Sequence, residues 1–167
     1  MRIERLGPDH RVAGFACGTK PLDGWLRHHA LENQARNLSR AFVLVQDDEE
    51  VLGYYSLATG GVPPADLPPG YGRGLPGYDI GMALLARLAV ASSRQGEGLG
   101  RDLMADAIQQ AALAGAHVAA RFVAVDLIDE GARAFYRKFG FRDVPGDPEG
   151  RMFLRLDHAL EALEHRR

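Results

Sequence analysis

A single cysteine, Cys17, in 167 residues leaves nothing to build an internal disulfide framework. No stretch approaches the ~18 consecutive apolar residues of a membrane span. The N-terminus also lacks the basic-then-apolar pattern of a secretory signal. These absences predict a cytoplasmic protein with no membrane partner. The histidines give no metal-ligand spacing: His28 and His29 are adjacent without a Cys or carboxylate pair, and His10, His117, His158 and His165 are scattered, so no metal is expected. Ser56, Ser92 and Ser93 lie outside any G-x-S-x-G elbow, which argues against a serine hydrolase.

A net charge of −2 does not mark a polyanion-binding protein, but the charge is unevenly spread. Acid gathers at Asp47 to Glu50 and from Asp143 to Glu149. Between Arg11 and Arg40 there are five basic residues (Arg11, Lys20, Arg27, Arg36, Arg40) against two acidic ones (Asp23, Glu32). Arg133, Arg137, Lys138 and Arg142 form a second basic group, most simply a solvated face. Apolar content of 46% and charged content of 25% fit a globular core. The length predicts one domain over residues 1–167.

The strongest local pattern runs from Met82 to Ala116. An apolar strand, Met82 to Val90, leads through a short polar bridge to Gln95-Gly96-Glu97-Gly98-Leu99-Gly100. A helix follows with Leu103, Ala107, Ile108 and Ala111 on one face. Strand, glycine turn and helix together point unpaired N–H groups at one spot, where the helix dipole favours an anion. A phosphate or pyrophosphate is the expected occupant. Gly100 is followed by Arg101-Asp102 rather than Lys-Ser/Thr, so this is no P-loop, and G-x-G-x-G lacks the third glycine of the dinucleotide fingerprint.

Around this centre, Ile3 to Leu6 reads as a first strand. Leu22, Trp25, Leu26 and Ala30 form one face of a helix entered at Pro21 and closed by Asn37 to Ser39. Arg40 to Gln46 and Val51 to Thr59 read as a hairpin across Asp47 to Glu50. Gly60 to Asp79 holds five of the nine prolines and six glycines, a long loop expected to be functional or mobile, on the substrate side. Arg121 to Leu127 is the next strand. Asp129 is the expected N-cap of a helix over Glu130 to Lys138 that ends at Gly140. Phe141 to Val144 and Arg151 to Leu156 make a last strand pair around the Pro145 to Pro148 loop. Asp157 to Arg167 is read as a terminal helix.

Gln95-x-x-Gly98-x-Gly100 resembles the Q/R-x-x-G-x-G/A signature of the GCN5-related N-acetyltransferases (GNAT). So does Ala134-Phe135-Tyr136-Arg137-Lys138-Phe139-Gly140-Phe141, which is similar to the family's A-x-x-F-Y-x-x-x-G-F segment. The resemblance implies a mixed α/β (α+β) GNAT fold. Its central, mostly antiparallel sheet would be splayed at the central strand, with helices on both faces. It implies acetyl-CoA as co-substrate, bound by Gln95, Gly96, Gly98, Leu99, Gly100 and Arg101 at the pyrophosphate. Leu88, Ala89 and Val90 would pair with the pantetheine arm, and Tyr136 would lie near the sulfur as catalytic general acid.

Phe15 to Gly18, Leu22 to Leu26, Gly53 to Leu57, Ala86 to Val90 and Val125 to Glu130 resemble the toxin branch of this family. Those bacterial toxins acetylate the α-amino group of aminoacyl-tRNA and stop translation; a ribbon-helix-helix antitoxin and a homodimer are implied with them. Ala91-Ser92-Ser93 departs from the aspartate that many relatives have after this strand. For a tRNA acceptor, Arg27, Arg36, Arg87 and Arg94 are the substrate-contact candidates, with Arg40 beside them. Arg94 stands close enough to the loop to touch coenzyme A instead.

Acetyl transfer to an amine needs a neutral nucleophile, a held thioester and a proton for the leaving thiolate. A phenol with a reference pKa near ~10 stays protonated at neutral pH, which suits Tyr136 to the last task. No base is visible: Met82 to Val90 carries only Arg87 as an ionisable group. A lysine amine, near ~10.4, needs help losing its proton, whereas an α-amine near ~8 does not. The pattern therefore favours an aminoacyl ester, although water could relay to Glu32 or Asp129. Two other readings stand beside it: an acetyltransferase for a small metabolic or antibiotic amine, and a non-catalytic module that binds acetyl-CoA or an antitoxin.

Overall fold

The computed structural model of the chain describes residues 1–147 and 150–157. The elements in order are β1 (Arg2–Arg5), α1 (Lys20–His28), α2 (Ala30–Ala35), β2 (Arg40–Val45), β3 (Val51–Val62), β4 (Ile80–Val90), α3 (Leu99–His117), β5 (Phe122–Asp126), α4 (Gly131–Lys138), β6 (Arg142–Asp143) and β7 (Arg151–Arg155). The strands form one seven-stranded sheet in the order β1-β2-β3-β4-β5-β7-β6. β1–β2, β2–β3, β5–β7 and β6–β7 are antiparallel; β4–β5 is parallel. A parallel pair needs a long crossover, and α3 supplies it.

The chain separates into two compact units: Met1–Ala58 with Ala86–Ala107, and Thr59–Leu85 with the chain from Ile108 on. In the first, alternation along the strands sorts side chains to two faces. Tyr54, Ala41, Val43 and Val45 join Leu22, Trp25 and Leu26 of α1 in one apolar cluster. Phe42 and Tyr55 stack on the opposite face at 5.0 Å, where the Tyr55 hydroxyl reaches Asp106 of α3. A Cβ at Gly53 would stand 2.9 Å from Leu103 Cδ1 and 3.0 Å from Ala89 O, so only glycine lets α3 and β4 come this close.

In the second unit, Val62, Leu67, Ile80, Met82, Phe122, Ala124 and Phe153 make the core. Part of the proline- and glycine-rich segment belongs to it. Leu67 is buried, and Tyr71 stacks on Phe122 at 6.0 Å between centroids with 9° between planes. The loop expected from Gly60 begins later, because β3 runs on to Val62. Gly60 and Gly61 do not break the strand; they make room, since added Cβ atoms would meet Met82 Cε at 2.8 Å and Asp79 Cβ at 3.3 Å. Pro64–Asp66 then forms a short 3₁₀ turn.

Three further expectations need correction. The single helix expected from Pro21 to Arg36 is two, because His29 leaves helical geometry at φ −125° and ψ −24°. Its N–H still reaches Trp25 O and its carbonyl still accepts from Asn33, both at 2.9 Å, so the axis bends without losing its bonds. The N-cap of α4 is Glu130 rather than Asp129, although Asp129 Oδ1 accepts the Ala132 N–H at 3.0 Å and so serves the same first turn. The strand expected over Phe141 to Val144 is reduced to Arg142–Asp143. The terminal helix lies, from His158 on, outside the described residues, as does Pro148.

Candidate active site

The β4–β5 ladder runs from Met82–Phe122 to Leu85–Val125 and ends there, while β4 itself continues to Val90. Leu88, Ala89 and Val90 thus extend past the parallel ladder, with Ala89 buried and the other two partly exposed. The strand hands over at Ala91, whose N–H is held by Leu52 O at 2.8 Å, to a 3₁₀ turn at Ser92–Arg94.

The glycine loop follows. Gly96 and Gly98 take φ values of 85° and 83°, a region an L side chain enters at a cost. A Cβ on either would meet no atom within 4 Å, so the demand is conformational and the space beside them is open. The α3 hydrogen bonds start with Asp102 N–H to Gly98 O at 3.3 Å. The N–H groups of Leu99, Gly100 and Arg101 therefore precede the first intrahelical donor, Asp102, and are left without a helical partner. With the positive end of a 19-residue helix, they make a place that favours an anion. Leu99 buries its side chain, so its N–H is what it offers, while Arg101 is exposed. Glu97, whose charge would repel such a ligand, is paired with Arg94 at 2.7 Å.

Gln95 works inward. Its Nε2 donates to both Cys17 O and Val90 O, each at 3.1 Å. The segment it grips is fixed twice more: Ser92 N–H donates to Ala16 O at 2.8 Å, and the buried Asp23 accepts the Cys17 N–H at 2.8 Å. Burial pushes the Cys17 thiol pKa up, which keeps it a protonated packing residue.

Downstream of that segment, α1 presents Trp25. The Arg87 guanidinium lies 4.1 Å from the Trp25 ring centroid, and Trp25 stacks on Tyr54 at 5.9 Å and 15°. Tyr54 is fixed in turn by its hydroxyl, which donates to Leu22 O at 2.7 Å. Arg87 is partly buried, and that burial lowers its pKa. The other arginine candidates are placed differently. Arg27 Nε donates to Phe15 O at 3.1 Å, tying down the start of the α1 segment. Arg94 holds Glu97. Arg40 Nη2 donates to Asn37 Oδ1 at 2.6 Å, and Arg36 is exposed. In the second unit, Arg133 and Arg137 both engage Asp143, the first of them half-buried with it.

Tyr136 lies on α4 in the second unit, its ring 5.5 Å from Phe135 and 5.7 Å from Phe141. Burial, and then the negative charge of Asp129, push its pKa up to about 12. The phenol therefore keeps its proton throughout the neutral range. Glu4, His10 and Glu49 form the one compact His/carboxylate group among the described residues. His10 Nδ1 accepts the Gly7 N–H at 2.9 Å, which puts the ring proton on Nε2, 2.7 Å from Glu4. Neither nitrogen retains a lone pair for a cation, and Arg2 already binds both carboxylates. The group is an ion network.

Sequence reading located the glycine loop and the strand before it, because both are local patterns. It missed the Trp25–Arg87 contact, the buried Asp23 and the inward turn of Gln95, none of which has a spacing signature.

A family model described as the Acetyltransferase (GNAT) family matches residues 15–141. A tRNA-acetylating toxin of Mycobacterium tuberculosis is 39% identical over 153 residues, 92% of this chain and 91% of that one. Among solved structures, AtaT complexed with acetyl-methionyl-tRNAfMet superposes with a TM-score of 0.88 at 29% identity, covering 98% of both chains. A tyrosine-to-phenylalanine mutant of the toxin AtaT, bound to the C-terminus of the antitoxin AtaR and acetyl-CoA, gives 0.79 at 28% identity, covering 95% and 94%.

Proposed function

Because the chain belongs to the GNAT acetyltransferase family, we propose that its acceptor is the α-amino group of aminoacyl-tRNA and that it blocks translation as the toxin of a toxin–antitoxin pair. The family makes it an acetyl-CoA-dependent N-acetyltransferase. The observation that carries the acceptor is the alignment, over 92% of the chain, with a toxin described as tRNA-acetylating. A ribbon-helix-helix antitoxin, a homodimer and a cytoplasmic location belong to the same proposal, supported by the toxin-branch motifs. That residues 1–167 form one N-acetyltransferase domain is supported by a family match that draws on both units.

The donor set fits acetyl-CoA. The N–H groups of Leu99 to Arg101 suit a pyrophosphate, the glycines at 96 and 98 leave open space beside it, and Arg94 cancels the charge of Glu97. Leu88, Ala89 and Val90 would offer main-chain groups to the pantetheine amides. Acetyl-CoA supplies the thioester whose acetyl group is transferred. Orienting it against the amine is worth ~7–11 kcal/mol of barrier. Tyr136 holds its proton and delivers it to the departing sulfur. β4, from Ile80 to Val90, has Arg87 as its sole ionisable residue. An amine that loses its proton readily, the α-amine of an amino-acid ester, needs no carboxylate there.

The test is acetyl transfer to purified charged tRNA with release of free thiol, in wild type and Tyr136→Phe, beside growth on induction in a bacterial host. Acetylated aminoacyl ends and arrest with wild type alone support the proposal. Thiol release with small amines but never with charged tRNA overturns it in favour of a small-amine enzyme. Acetyl-CoA binding without thiol release from any amine reduces the chain to a binding module.

A further inference from the structure

We propose that Arg87, propped on the Trp25 ring, binds the last backbone phosphate of the acceptor end of charged tRNA; this rests on the function proposed above and assigns it a contact. Three observations converge on Arg87. It is partly buried, yet its guanidinium makes no hydrogen bond or ion pair among the described residues. The other partly buried arginines of the first unit, Arg40 and Arg94, are both engaged, with Asn37 and Glu97. A guanidinium taken out of water without an anion is a cost, which an anionic ligand removes.

Its direction is fixed before any ligand arrives. Trp25 holds the guanidinium plane, Tyr54 stacks on Trp25, and the Tyr54 hydroxyl is anchored on Leu22 O. Such a chain of packed rings pre-orients the guanidinium fork, and arginine matches a phosphate through two parallel N–H bonds. Position selects the phosphate. Arg87 immediately precedes Leu88 to Val90, the stretch of β4 beyond its ladder with β5 that is read as the pantetheine edge, at ~3.3 Å per residue. The amine to be acetylated hangs from the terminal ribose of the tRNA, so the anion nearest the thioester on the acceptor is the last phosphodiester. The diphosphate of coenzyme A already has its seat at the start of α3, several residues further along the chain.

The experiment is steady-state acetylation of charged tRNA by wild type, Arg87→Gln, Arg87→Lys and Trp25→Leu over a range of salt, with melting temperatures measured in parallel. Arg87→Gln should raise KM for charged tRNA about tenfold, the scale of one charge-assisted contact. It should also flatten the salt dependence by about one unit of slope and leave KM for acetyl-CoA unchanged. Arg87→Lys should keep the slope and recover part of the KM. Trp25→Leu should raise KM for tRNA with the slope retained, because the charge remains but loses its prop. A rise in KM for acetyl-CoA alone would assign Arg87 to the cofactor, and an unchanged tRNA KM and slope in folded Arg87→Gln would also overturn the proposal. If wild type leaves charged tRNA untouched, both proposals fail; if wild type acetylates it and Arg87→Gln matches wild type, only this one does.

Discussion

The side-chain amide of Gln95 donates to the carbonyl of Cys17 and to that of Val90, 3.1 Å in each case. One residue thereby fastens the start of the glycine loop both to the end of β4 and to the segment that leads into α1. A carboxylate cannot donate to two carbonyl oxygens and would repel both. Gln95→Ala should cost about 1 kcal/mol of stability and raise KM for acetyl-CoA about fivefold, with kcat little changed. Gln95→Glu should be worse on both counts. Thermal unfolding and acetyl-CoA titration check this, and an Ala variant with unaltered KM would show that the loop holds its shape without the clasp.

Two buried hydroxyls on neighbouring residues of β3 should respond in opposite ways. Tyr55 donates to Asp106 at 2.5 Å, a bond to a charged acceptor worth roughly 1.5–3 kcal/mol. Tyr55→Phe keeps the stack on Phe42 and should lose about that much. Ser56 is fully buried, and its Oγ has no partner among the described residues. Ser56→Ala removes an unsatisfied group and should be neutral or stabilising, by up to about 1 kcal/mol. Denaturant unfolding of the two variants decides; equal losses would mean that Ser56 also has a partner, such as an ordered water.

The contrast between these residues also marks what the sequence could reveal. Strand alternation and the order of strand, loop and helix are local, so the sheet, the glycine loop before α3 and the helix that carries Tyr136 were readable. The fate of Gly60 and Gly61 was not, because their meaning depends on Met82 and Asp79 lying against them. Nor could spacing show that Arg27 and Arg94 are engaged while Arg87 stands on Trp25, since those partners come from distant parts of the chain. Composition names the cations, and tertiary packing decides which of them are tied to the protein itself.

The buried phenols set an alkaline limit. Burial raises the pKa of Tyr54 and, with the Asp106 hydrogen bond second, of Tyr55; burial followed by Asp129 raises Tyr136 to about 12. The folded state thus holds these protons more tightly than the unfolded chain, whose tyrosines titrate near ~10. The resulting stability is fully present below pH ~10 and is lost as pH rises from there through the folded values. Tyrosinate absorbance followed together with circular dichroism should show Tyr54 and Tyr55 ionising only as the fold is lost, and the half-buried Tyr136 only as the pH approaches about 12. Smooth ionisation of all five tyrosines near pH ~10, with native dichroism intact, would contradict this.

Gly53 and Gly98 should fail for different reasons when changed to alanine. At Gly98 there is open space but φ is 83°, so Gly98→Ala meets no atom and is strained only in its backbone, by roughly 1–2 kcal/mol. The loop can relieve that strain by turning its N–H groups away from the diphosphate seat. The expected signature is weaker acetyl-CoA binding with a melting temperature close to wild type. At Gly53 the added methyl would stand 2.9 Å from Leu103 Cδ1 and 3.0 Å from Ala89 O. The leucine end can shift but the Ala89 backbone cannot easily do so, and overpacking of this kind costs about 1–3 kcal/mol. Gly53→Ala should therefore lower the melting temperature and, by pushing on Ala89, disturb the stretch of β4 beyond its ladder with β5. Acetyl-CoA added in excess should restore part of its stability by mass action if the seat survives. A Gly98→Ala variant that melts early but binds acetyl-CoA normally would reverse the assignment, making that glycine a folding residue and leaving the seat to the first turn of α3 alone.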